Sequence, residues 1–219
     1  MQRTSVSSNG NKFPTLARTL LVAVVLAGGA CADSTGPERA TVQVLLTDAP
    51  HEELDSALVW ISRVYLQGGG GTEPDTVASD TTSSSGRVDL FNDPQAPLVF
   101  DLLELRDGVT ADLTGLLEVE AGVYQGLRFV VDSARVYLTE GLSFTDGSTW
   151  ASLRVPSGST SGIKVKLNDV LRADGGDTTT VTVDFDVDDN FKIQRSGPGG
   201  DVKQVIFTPV LKEKGRITS

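Results

Sequence analysis

The chain has 219 residues, 39% of them apolar, with one cysteine, one histidine and a formal net charge of −10. A single cysteine excludes an intramolecular disulfide, and together with a single histidine it excludes zinc sites built from several sulfur and nitrogen ligands. The acidic balance offers no basic stripe for a phosphate backbone, so nucleic acid is not an expected partner.

The first thirty residues differ in kind from the rest. They carry Arg3, Lys12 and Arg18 and no acidic residue, then run uncharged from Thr19 to Ala30. This is the charged head and apolar middle of a signal peptide, and the run is shorter than the roughly twenty residues a membrane-crossing helix needs. Ala27, Gly28, Gly29 and Ala30 stand directly before Cys31, an arrangement that resembles the lipobox of bacterial lipoproteins. The expectation is a signal peptide over 1–30, lipid attachment at Cys31 and a tether over 31–40. Ala32 stands where an aspartate would mark retention in the inner membrane, which favours the outer membrane of a bacterial envelope. Beyond the leader, 16 basic residues face 29 acidic ones, a net of about −13.

The folded domain is expected over 41–213, with a C-terminal tail over 214–219. Short runs of alternating apolar and polar residues, separated by Gly, Asp, Pro and Ser, predict strands with one buried face. Thr41 to Thr47 places Val42, Val44 and Leu46 on one side, and Ala57 to Leu66 follows. The stretch from Gln67 to Gly86 reads as a polar surface loop. Asp101 to Arg106 (DLLELR) is the best helical candidate, stopped by Asp107-Gly108. Further strands are predicted over Tyr124 to Val131, Arg135 to Thr139, Thr149 to Val155 after the Asp146-Gly147 turn, Gly162 to Leu167, Thr178 to Val187 and Val202 to Leu211. Pro209 marks the last as an edge or a bulge, since proline donates nothing to a ladder. The fold class expected is all-β, an antiparallel β-sandwich of immunoglobulin-like or transthyretin-like type.

Several stretches together resemble the bacterial lipoprotein domain known as domain of unknown function 4382. They are Leu46 to Pro50 (LTDAP), Phe100 to Gly108 (FDLLELRDG), Ala121 to Tyr124 (AGVY) continuing into LRFVV, Leu153 to Gly158 (LRVPSG), Val181 to Val187 (VTVDFDV) and Thr208 to Leu211 (TPVL). The resemblance covers the chain from about Thr41 to Lys212. It implies a sandwich-like β-domain behind a lipoprotein signal, and it implies no activity and no catalytic residues.

Three places invite a chemical reading. VTVDFDVDDN sets Asp184, Asp186 and Asp188 on the strand face opposite Val181, Val183, Phe185 and Val187, along about 14 Å if the strand continues. Such a stripe is tolerable when solvated, when paired with lysines such as those of Ile163 to Leu167, or when bridged by Ca²⁺, which takes about six to eight oxygens. Asp48 in LTDAP is expected to form a turn by accepting an amide two residues on. Trp150, beside the Asp146-Gly147 turn, is a candidate platform for a sugar ring or else a core anchor. His51 reads as an exposed loop histidine, without a G-x-S-x-G elbow to accompany it.

These observations predict a lipid-anchored, extracytoplasmic binding or structural module of the cell envelope, with carbohydrate or protein as ligand and no catalytic residue. Two alternatives stand beside it: an envelope hydrolase using two carboxylates, and a calcium-dependent adhesion module.

Overall fold

Alternation of apolar residues dictates which side of each strand faces the core, but not which strand lies beside it. In a computed structural model, residues 37–68, 86–156 and 161–219 are described. The expected signal peptide, Cys31, most of the tether and most of the Gln67 to Gly86 loop lie outside the described residues.

The first strand, β1 (Arg39–Thr47), buries Val42, Val44 and Leu46 completely, as its alternation predicts. β2 (Leu54–Gly68) is a long strand flanked by two short ones, β3 (Arg87–Asn92) and β4 (Leu98–Asp101). A 3₁₀ turn over Leu102–Leu105 occupies the expected helical segment, with the Asp101 carboxylate accepting from the Leu103 amide. β5 (Ala111–Asp112) and β6 (Leu117–Glu120) both pair with β1. β7 (Gly122–Leu138) joins two predicted strands into one. β8 (Trp150–Leu153), β9 (Ile163–Lys166) and β10 (Leu171–Ala173) pair with it.

The remaining elements are β11 (Thr178–Asp184), a one-turn helix α1 (Val187–Asn190), β12 (Phe191–Arg195), β13 (Val202–Phe207) and β14 (Leu211–Thr218). β12 and β13 form a separate hairpin. It packs through Phe207, which stacks on Phe191 at 4.7 Å between ring centres and on Phe185 at 6.1 Å.

The all-β class holds. The antiparallel sandwich does not describe the pairing, because among the described residues twelve strands form one hydrogen-bonded sheet in the order β3-β2-β7-β9-β14-β11-β1-β5, with the short strands attached beside them. Two of the pairings, β1 with β11 and β9 with β14, are parallel. The mixed sheet curls into a half-barrel rather than separating into two immunoglobulin-like or transthyretin-like layers. Register shifts along β2 and β7, at Trp60/Ile61 and Ile61/Arg63 among others, supply bends; a bulge adds local twist to the strand that carries it.

The concave side holds the core. Val59, Ile61, Val64 and Leu66 of β2 face Leu127, Phe129, Val131 and Val136 of β7, all fully buried. Each such side chain contributes about 1.5–3 kcal/mol relative to exposure, so this pair of strands outweighs any set of surface ion pairs, whose median is about 0–1 kcal/mol.

Two boundaries are corrected. The predicted strand Val202 to Leu211 is two strands, β13 and β14, broken around Pro209, where a strand would lose a donor. Residues 214–219, expected as a tail, belong largely to β14, which lies inside the sheet between β9 and β11.

Candidate functional site

The two motifs LTDAP and VDFDV meet at one corner, because parallel pairing of β1 and β11 sets Thr47 opposite Asp184. Asp48 is 1% exposed there. Its Oδ1 accepts from the Val187 amide at 2.8 Å, a bond that spans 139 residues of sequence. The expected local turn is thus replaced by a long-range clasp between the end of β1 and the start of α1. The Asp48 amide donates to the Leu105 carbonyl at 3.1 Å, and the Thr47 hydroxyl contacts the Leu105 and Val109 carbonyls. Oδ2 of Asp48 has no hydrogen-bond partner among the described residues. Burial pushes this carboxyl from 3.8 up to about 7, opposed by the amides of Val187 and Ala49 and reinforced by the charges of Asp184 and Asp186.

The aspartates do not form a stripe. β11 ends at Asp184, and Asp186 takes the left-handed conformation (φ 51°), which short polar side chains tolerate better than most. It caps α1 by accepting from the Asp189 amide at 3.1 Å. Asp188 therefore belongs to a helical turn and not to the strand. The counter-charges come from β14 and β12, not from β9. Lys214 approaches Asp184 at 3.8 Å, and Lys212 contacts Asp186 at 3.2 Å and Asp189 at 2.9 Å. Lys192 lies 3.9 Å from Asp189. His51, expected to be exposed, is half-buried; its Nε2 stands 3.9 Å from Asp188 and its Nδ1 accepts the Glu53 amide. Among the described residues no group of three or more His, Cys, Asp or Glu side chains has the geometry to hold a metal ion.

Below this corner Asn190 is completely buried. Its side chain donates to the Phe185 and Val210 carbonyls and accepts from the Val210 amide at 2.8 Å. The corner is a polar lock joining β1, α1, β13 and β14. A general acid would suit a carboxyl near 7, yet Asp48 at 1% exposure offers no surface to a substrate.

A different face carries exposed chemistry. On the convex side of β4, β2, β7 and β8, the pairings Trp60 with Val99, Leu58 with Arg135 and Tyr137 with Trp150 bring both tryptophans of the chain into one patch. Trp150 is 47% exposed, so it is not a core anchor, and Val99 is 50% exposed. The Arg135 guanidinium lies between the two indoles, 5.6 Å from the ring centre of Trp60 and 4.9 Å from that of Trp150. Its Nη1 reaches the Tyr137 hydroxyl at 3.4 Å. This cation–π ladder holds the side chains in place while leaving aromatic surface open.

Of the residues singled out from sequence, Trp150 lies in this patch, whereas Asp184, Asp186 and Asp188 lie at the polar lock. Trp60 and Arg135 escape sequence reasoning, since only the register of β2, β7 and β8 makes them neighbours of Trp150. No helix among the described residues is long and apolar enough to cross a membrane.

A family described as Domain of unknown function (DUF4382) matches residues 39–209 of the chain. No curated protein and no solved structure matches it.

Proposed function

The chain belongs to the Domain of unknown function (DUF4382) family, and from that premise we propose that it is a carbohydrate-binding module, anchored to the bacterial envelope by lipid on Cys31 and presenting the Trp60–Arg135–Trp150 face to glycan. The observation that carries this reading is the half-open Trp150 indole, held against Arg135 in the company of the only other tryptophan. A sugar ring has apolar faces that stack on an exposed indole, and the aromatic side chain arrives already ordered, so little conformational entropy is lost on binding. The expected signal and lipidation would place this face outside the cytoplasm, where envelope or extracellular polysaccharide is available.

The two tryptophans make the test direct, because tryptophan emission, excited apart from that of the three tyrosines, reports from the patch alone. Titration with oligosaccharides should shift that emission, and Trp150→Ala should abolish binding while keeping cooperative unfolding, at a cost of about 1–2 kcal/mol for the buried half of the indole and its contact with Arg135. Unchanged affinity in Trp150→Ala would refute the assignment. For the anchor, metabolic labelling with a palmitate analogue should mark the parent chain and fail with Cys31→Ser; equal labelling would remove the lipid from the proposal.

A further inference from the structure

Resting on the glycan reading, we infer that the polysaccharide recognised is acidic, and that the groove between β8 and β13 is the subsite that takes its carboxylates. The groove adjoins the aromatic patch through Trp150, which belongs to both, and has a volume of about 480 Å³, within the usual range for a small-molecule site of about 300–1,000 Å³. Its walls carry Ser152 and Arg154 on one side and Lys203 and Gln204 on the other.

Charge complementarity identifies the occupant. The chain beyond its leader is strongly acidic, yet this groove collects two cations, and neither Arg154 nor Lys203 forms an ion pair among the described residues. The lysines of the polar lock are committed to aspartates; these two are not. Among the described residues the single acidic side chain of the lining, Asp146, is turned back on its own loop, where Oδ1 accepts from the Ser148 amide at 2.9 Å and its hydroxyl at 2.7 Å. Those bonds keep Asp146 below its ordinary carboxylate value, so it stays ionised and the lining retains one net positive charge. Arg135 lies just beyond, against Trp150.

The backbone adds polar capacity. Among the described residues β8 pairs only with β7. The Leu138 amide donates to the Thr149 carbonyl, so by the alternation of an antiparallel ladder the peptide groups of Trp150 and Ser152 point away from β7 toward the open edge. An arginine fork suits a carboxylate, the lysine ammonium adds a point charge, and the edge amides and carbonyls of β8 suit ring hydroxyls. A uronic-acid oligosaccharide has all three partners along one chain.

The test compares three probes on the full chain in detergent, read by tryptophan emission and calorimetry: an oligogalacturonate, the same oligosaccharide as its methyl ester, and a neutral oligoglucan. Esterification removes charge while keeping the ring, so the acid should bind at least about tenfold more tightly than the ester, the scale of one charge-assisted hydrogen bond. The double variant Arg154→Ala/Lys203→Ala should bring acid and ester to the same affinity and leave the ester unaffected. If acid and ester bind equally in the parent, and both are lost with Trp150→Ala, the acidic specificity is wrong and the glycan reading stands. If none of the three probes binds, both fall.

Discussion

Changing Asp48 to asparagine removes a charge from the polar lock while keeping an oxygen for the Val187 amide. In the native protein burial holds this carboxyl at about 7, against 3.8 for the ordinary side chain of an unfolded chain. Between those values the folded state keeps a proton that the unfolded state has released. The group's contribution to stability is thus complete below pH 3.8 and is lost as pH rises to about 7; above that both states are ionised and no more is lost. One pKa unit corresponds to about 1.4 kcal/mol, so a shift of about three units makes the loss roughly 4 kcal/mol. That is a large part of the roughly 5–15 kcal/mol available to a typical domain.

Asp48→Asn stays neutral at every pH, so it escapes this loss. Urea unfolding of parent and variant at pH 4, 5.5, 7 and 8.5 measures the effect, and subtracting one series from the other cancels every other titrating group. The difference should be small at pH 4 and should grow to a few kcal/mol in favour of Asp48→Asn by pH 8.5. Parallel pH profiles, or a variant destabilised equally at all four values, would refute the buried-carboxyl argument.

Other expected outcomes follow from the same contacts. Asn190→Ala leaves the Phe185 and Val210 carbonyls and the Val210 amide without their partner, and should cost about 2–4 kcal/mol in urea unfolding, since each unsatisfied buried group costs about 1–3 kcal/mol. Glu213→Ala removes the acceptor of the Asn168 amide and the counter-charge of Arg216, which keeps its bonds to the Asp169 and Val170 carbonyls, with an expected loss of about 1–3 kcal/mol. Deleting residues 214–219 removes most of the pairing between β14 and β11 and should leave no cooperative thermal transition, whereas a true tail would be dispensable. Melting curves in excess Ca²⁺ and in EDTA should superimpose, because the aspartates of the lock are already matched with lysines; a calcium-dependent rise in midpoint would overturn that view.

How far the sequence could carry this reading is visible in particular residues. The alternation in Thr41 to Thr47 and in VTVDFDV named buried faces that the fold buries completely, because a period of two has one physical meaning in a half-buried strand. The same alternation is silent on direction, so the parallel pairing of β1 with β11 was not legible. VDFDVDD continues the alternation past the point where Asp186 turns left-handed. The aspartate spaced three residues from Asp189 was a capping signal, outweighed by the apolar pattern. LKEKGRIT carries four charged residues and no apolar alternation, yet it lies within the sheet. It does so because the inward Glu213 is met by the Asn168 amide and by Arg216.

The lock and the exposed face also divide the work of the molecule. Asp48 and Asn190 are buried and bonded to backbone groups of the elements around them, Asp48 across 139 residues of sequence, so their substitution should move stability and leave the proposed glycan binding intact. Trp150 runs the other way. An indole left almost half in water forgoes burial worth on the order of 1 kcal/mol, an expense that sheet formation alone does not require at that position, since Ser152 occupies the same outward side of the same strand. Two sets of variants, one at the lock and one on the face, should then separate by affinity: the lock variants shift unfolding alone, and Trp150→Ala abolishes binding at a cost of about 1–2 kcal/mol in unfolding. A Trp150 variant that lost binding only because it no longer unfolded cooperatively would place the indole in the architecture of the sheet rather than in recognition.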